Sequence, residues 1–136
     1  KNNFYGYTKF LIEQELIRLH NEKKLNVMIL RPTNVYGPFS GAWTIGPCTK
    51  LMTGKVIMTD AANNSINNVI YVDDVCNFMI MAALKNVEQG NNVFLINGPD
   101  SNISWSKFYN DYSKVIASNS PQFISEKIII KNIKVL

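Results

Sequence analysis

The sequence predicts an α/β fold. Segments with helical apolar spacing alternate with short apolar runs of strand length, and Gly, Pro and Asn punctuate the joins. The composition suits a buried core, because 46% of the 136 residues are hydrophobic and 18% are charged. A disordered chain would be poorer in apolar residues and richer in charge. A chain of this length can bury about two-thirds of its unfolded surface, as one ordinary domain or a piece of a larger one.

Phe4 to about His20 places Leu11, Ile12, Leu16, Ile17 and Leu19 among charges, which predicts an amphipathic helix with Glu15, Arg18, Glu22 and Lys23 towards solvent. His20, near its end, reads as structural. Asn26 to Leu30 is a continuous apolar run, expected as a strand buried on both faces and ended by Arg31-Pro32. Thr33 to Gly46 reads as loop, and Cys48 to Thr53 as a short helix before Gly54. Val56 to Met58 is a candidate strand, Ala61 to Asn68 a polar turn region, and Asn68 to Val72 another strand. Asp73 is expected to cap a helix from about Asp74 to Lys85, with Met79, Ile80 and Met81 in the core. Asn92 to Ile96 is a further strand closed by Asn97-Gly98-Pro99. Ser104 opens a helix to about Ala117 with Trp105, Phe108, Tyr112 and Ile116 at helical spacing. Phe123 to Leu136 reads as a strand or a strand and turn.

Charge and cysteines exclude several classes. The net charge is +4, Arg18 and Arg31 are the only arginines, and the lysines are scattered. Nucleic-acid binders cluster their basic residues, so a small phosphate-bearing molecule is the better fit. Cys48 and Cys76 stand 28 positions apart without a metal-ligand pattern, which is the usage of reduced thiols in a cytoplasmic protein. No metal site is expected. No apolar run approaches the roughly 18 residues of a membrane span, and no signal peptide opens the chain.

The sharpest local motif is Tyr5-Gly6-Tyr7-Thr8-Lys9. Residues i and i+4 share a helical face, and an ammonium beside a phenol favours the phenolate, which can exchange protons with a hydroxyl or carbonyl. Alone, the pair reads more readily as an incidental surface contact, because the spacing is common by chance. It is followed by Leu30-Arg31-Pro32-Thr33-Asn34-Val35-Tyr36-Gly37-Pro38 and then by Ile70-Tyr71-Val72-Asp73-Asp74-Val75. In this order and spacing the three segments resemble the NAD-dependent epimerase/dehydratase family, the extended short-chain dehydrogenases/reductases, over residues 3 to 118.

The resemblance implies the C-terminal part of a Rossmann-type doubly wound parallel sheet plus a small substrate-binding region. Residues 1–38 would be the last helix and strand of the NAD(P)-binding domain. Residues 39–136 would be mainly the substrate-binding region with returning Rossmann elements. By the same resemblance Tyr5 is the general acid/base, and Lys9 steadies its phenolate and hydrogen-bonds the nicotinamide ribose. Pro32 and Thr33 meet the nicotinamide end of NAD or NADP. Asn34 contacts substrate, Tyr36 begins the substrate loop, and Trp43 either lines that loop or anchors packing. Asp73 and Asp74 are a helix cap and its support rather than a catalytic pair. The implied activity is hydride transfer on a sugar, nucleotide-linked in most of the family, by an epimerase, dehydratase or reductase that works as a homodimer.

Two departures qualify the likeness. Many nucleotide-sugar members carry an arginine four positions before the Tyr71 equivalent, where this chain has Asn67. The family's G-x-x-G-x-x-G cradle has no counterpart among the seven glycines, and Gly41-x4-Gly46 runs into Pro47 and Cys48 where a phosphate-binding loop needs lysine and a hydroxyl. The chain therefore reads as a portion of a longer enzyme that holds the Tyr-Lys half of the apparatus. Its alternatives are a non-catalytic remnant of such an enzyme, or a reductase of a non-sugar ketone on the same fold.

Overall fold

In the computed structural model, residues 3–84, 92–99, 102–117 and 121–123 are described. They divide into two units: Lys1–Arg31 with Cys76–Ile96, and Pro32–Val75 with Asn97–Leu136.

The first unit opens on Asn3, whose side-chain oxygen accepts the Gly6 N–H at 3.0 Å and so caps α1 (Phe4–Asn21). At the other end Lys23 takes a left-handed φ of 57°, and the Lys24 N–H reaches Leu19 O while that of Lys23 reaches His20 O. That pairing satisfies the last carbonyls and stops the helix. His20 is buried, and its Nδ1 accepts the Val27 N–H at 3.4 Å, which ties the returning chain to the helix. The structural reading of His20 holds, through the turn rather than the helix-end carbonyls.

β1 (Ile29–Pro32) pairs with β5 (Val93–Ile96), and Asn92 braces the pair through Val27 O and Ile29 N. The strand lies later than the sequence suggested and includes Arg31 and Pro32. Proline is tolerated at this strand end, where no ladder donor is required. Ile29 and Leu30 are half-buried and the next two residues exposed, so the strand is not buried on both faces. Leu11 and Ile12 of α1 are likewise half exposed, so the helix is apolar on more than one side in its first turns.

In the second unit β2 (Asn34–Tyr36) runs parallel to β4 (Val69–Tyr71), with Asn34 opposite Val69 and Tyr36 opposite Tyr71. β2 lies inside the stretch read as loop. Three residues after a proline give no local strand signal, and the partner that makes them a strand is more than thirty residues away. A π-helical turn, Gly41–Ile45, leads into α2 (Gly46–Met52). β3 (Ile57–Met58) runs parallel to β6 (Gln122–Phe123). The polar segment after β3 is a short helix, α3 (Asp60–Asn64), capped by Thr59, whose Oγ1 accepts the Ala62 N–H. α5 (Trp105–Val115) is capped by Ser104 and packs Trp105, Tyr109, Tyr112 and Ile116 onto buried Leu51, Val56 and Met58. These parallel pairs with intervening helices are a partial Rossmann-like α/β fold.

α4 (Val72–Leu84) carries the chain from the second unit into the first. It begins two residues before the expected start, so Asp73 and Asp74 lie in its first turn, facing the positive end of the helix dipole, rather than at its cap. Met79, Ile80 and Met81 are 58%, 58% and 57% exposed, which overturns their expected place in the core. Lys85 and the tail beyond Phe123 lie outside the described residues.

Candidate functional site

Tyr5 and Lys9 occupy the first two turns of α1, on one face as their spacing requires. The Lys9 ammonium lies over the Tyr5 ring, 5.7 Å from its centroid. Tyr5 is 74% exposed, so its hydroxyl is open to a ligand. Behind it, the Asn3 cap and the Thr8 hydroxyl, which donates to Phe4 O at 2.8 Å, fix the helix start.

The second unit holds the other sequence candidates at and beyond its parallel pair. Thr33 donates through Oγ1 to Asn97 Oδ1 at 2.8 Å, and the Gly98 N–H reaches the same oxygen at 3.1 Å. Asn34 Nδ2 donates to Asn67 Oδ1 at 2.9 Å. Asn67 is fully buried, its N–H bonds Ile103 O at 2.7 Å, and its Nδ2 has no partner among the described residues. The departure at Asn67 therefore has a structural consequence. A neutral amide, locked inward against Asn34, stands where many nucleotide-sugar members carry an arginine.

Tyr36 and Tyr71, opposite each other at the C-terminal ends of β2 and β4, bring their rings to 5.3 Å. Beside them a cavity of about 210 Å³ is lined by Tyr36, Tyr71, Asp74, Gly98, Pro99 and Ile103. In parallel α/β sheets this edge is where ligands bind. Glycine is required at two points there. A Cβ on Gly37, whose φ is 140°, would stand 2.7 Å from Val72 Cγ1, and one on Gly98 would stand 2.6 Å from Val69 O.

Trp43 packs its ring 5.9 Å from that of Trp105, and its carbonyl accepts from the Tyr112 hydroxyl at 3.1 Å. Tyr112 also meets Thr44 Oγ1 at 3.2 Å, and burial pushes the Tyr112 phenol up despite that bond. Burial likewise raises the Cys48 thiol, so it is a poor nucleophile. Among the described residues no group of His, Cys, Asp and Glu side chains could hold a metal. Nor is any described helix long and apolar enough to cross a membrane.

Thr44, Asn97 and Tyr71 brace or line this edge; Tyr71 and Asn97 were quoted only within motifs, and none of the three was named as a site residue from sequence. Thr44 and Asn97 act on residues 7 and 64 positions away, a distance over which no local pattern operates.

Parallel strand pairs with intervening helices define the class as partial Rossmann-like α/β. The model of the NAD dependent epimerase/dehydratase family matches residues 1–96, and the chain belongs to that family. Neither the curated proteins nor the solved structures yield a match.

Proposed function

We propose that this chain is the C-terminal portion of an NAD(P)-dependent sugar epimerase, dehydratase or reductase that acts on a nucleotide sugar. The observation that carries the reading is the Tyr5–Lys9 pair, open to ligand on the first turns of α1, in a chain of this family. Tyr5 removes the proton from a substrate hydroxyl, or returns one to a carbonyl. Lys9, whose ammonium lies over the Tyr5 ring, would keep positive charge beside the phenol through that transfer and would hold the ribose of the nicotinamide nucleotide. On the family's pattern Pro32 and Thr33 would meet the nicotinamide end of the cofactor, and Asn34, Tyr36 and Trp43 would meet the substrate. The bound cofactor supplies hydride acceptance and return.

No glycine-rich pyrophosphate cradle occurs among these residues, so on this reading another part of the parent enzyme would supply it. The exposed apolar side chains of the first unit support the same division of labour. Phe4, Tyr7 and Leu11, exposed at i, i+3 and i+7 on α1, also favour a helix-packed homodimer of the parent.

A second reading, reduction of a non-sugar ketone, is favoured by one observation. The buried Asn67 amide provides no positive charge for a diphosphate.

The test of the proposed role is Tyr5→Phe in the full-length protein. Turnover should fall by about 10²- to 10⁴-fold, the usual worth of a positioned acid/base, with NAD binding within a few-fold of wild type. Undiminished turnover would remove the acid/base assignment.

A further inference from the structure

Gly37, Pro38, Phe39 and Ser40 form a turn closed by the Ser40 N–H on Gly37 O at 3.2 Å. Proline at the second position and a φ of 65° at Phe39 make it type II. The third position of that turn is normally glycine or asparagine, because a Cβ there crowds the backbone. Two other described non-glycine residues have positive φ, Lys23 and Ala117. Both follow helices, where a left-handed residue is ordinary. Phe39 follows none.

Burial does not offset the strain, since Phe39 is 93% exposed. Neighbouring side chains hold the turn in place instead. Thr44 Oγ1 accepts the Gly37 N–H at 3.0 Å and donates to Gly37 O at 2.8 Å, and Ser40 Oγ donates to Val35 O at 3.1 Å. A large aromatic ring thus projects from a rigid turn, in a conformation that disfavours it and with no packing return. Strain of this kind, over-determined by its surroundings, marks functional positions. The place is informative too. Phe39 lies three residues beyond Tyr36, the last residue of β2, at the strand edge where parallel sheets receive ligands.

We infer that Phe39 is a ligand-gripping residue whose ring stacks on a flat ring face of the substrate, either the C–H face of a pyranose or the π face of a nucleobase. The inference rests on the enzyme reading above and deepens it, by assigning a substrate contact to a residue beyond the Tyr36-Gly37-Pro38 motif.

The test uses the full-length protein, with UDP-glucose, UDP and glucose 1-phosphate titrated calorimetrically into wild type, Phe39→Gly and Phe39→Trp. Glycine suits the turn, so the thermal midpoint of Phe39→Gly should not fall. Its affinity for UDP-glucose should drop about 5- to 100-fold, the range produced by removing one stacked aromatic. Phe39→Trp should stay close to wild type. Loss with UDP would assign the contact to the base, and loss with glucose 1-phosphate to the sugar. Wild-type affinities in Phe39→Gly overturn the inference, as does failure of the wild type to bind any of the three. NAD binding and the effect of Tyr5→Phe, read separately, decide the enzyme reading, so the two can fail independently.

Discussion

At the scale of single residues, the strand edge of the second unit depends on close backbone approach at Gly98 more than on any one hydrogen bond. A methyl group there would meet the Val69 carbonyl at 2.6 Å and the Ile70 Cα at 3.3 Å, both backbone atoms of a buried strand. Neither can swing aside as a side chain could. Gly98→Ala should therefore lower stability by about 1–3 kcal/mol, the usual range for overpacking. Gly41→Ala is the control, because a Cβ at Gly41 meets nothing within 4 Å. At that helical position alanine should be neutral or stabilising by up to about 1 kcal/mol. Urea midpoints of the two variants measure the difference, and equal effects would show that the Gly98 contact relaxes freely. The sequence marks Gly98 only as part of an Asn-Gly-Pro turn, and nothing local reveals that a buried strand passes beneath it. Tyr5 and Lys9 were legible for the opposite reason, since both lie on one helix and the i, i+4 spacing alone places them together. Asn67 shows the limit of reading a residue by its motif position. Its departure was visible, but its burial against Asn34 follows from the β2–β4 pairing.

At the scale of elements, α1 is held to β1 by an ion pair between Glu13 and Arg31, both Glu13 oxygens being engaged by the guanidinium. Hydrogen bonding from Arg31 foremost, and its charge in addition, holds the Glu13 carboxyl below the usual carboxylate range, against a smaller opposing effect of desolvation. A depressed folded value means that the pair stabilises fully above the unfolded value near 4.5 and is lost as pH falls through the folded value. Glu13→Gln should lower the thermal midpoint at neutral pH, and the two curves should converge in acid. Parallel curves across that window would show that the pair does not contribute. The longer helices were legible in the sequence because their signals are local, as at α5, where Ser104 caps and the aromatic stripe packs, whereas the five-residue α3 was read as a turn. The short strands were less so. β3 falls inside the apolar run Val56 to Met58 and was read as a strand, whereas β2 has three residues, and parallel pairing with a distant partner, not propensity, makes it one. The π-helical turn was unreadable for a similar reason, since Ser40 and Thr44 shape it through contacts back to Val35 and Gly37.

At the scale of the whole molecule, the two units differ in how they treat apolar surface. The second buries Leu51, Val56, Met58, Val69, Ile70 and Phe108, whereas in the first the buried apolar side chains among those described are Val27 and Ile96. The first unit meanwhile exposes Phe4, Tyr7, Phe10, Leu11 and Ile12 on α1, Phe78 to Met81 and Leu84 on α4, and Phe94 and Leu95 on β5. An apolar surface so extended is ordinarily covered by another body. The α4 residues were expected in a core from their sequence, and a core shared with the nucleotide-binding half of a longer enzyme would reconcile that expectation with their exposure here. The two possibilities respond differently to charge. If α4 is covered in the full-length protein, Met79→Glu places an unpaired carboxylate in an apolar contact and should cost about 1–3 kcal/mol. In the 136-residue chain, where Met79 is 58% exposed, the same change should stay within about 0.5 kcal/mol. Chemical denaturation of both proteins, wild type and variant, gives the comparison. A cost that is equally small in the two would mean that this face meets water in both, and the proposal that α4 shares a core with a nucleotide-binding half would have to be abandoned.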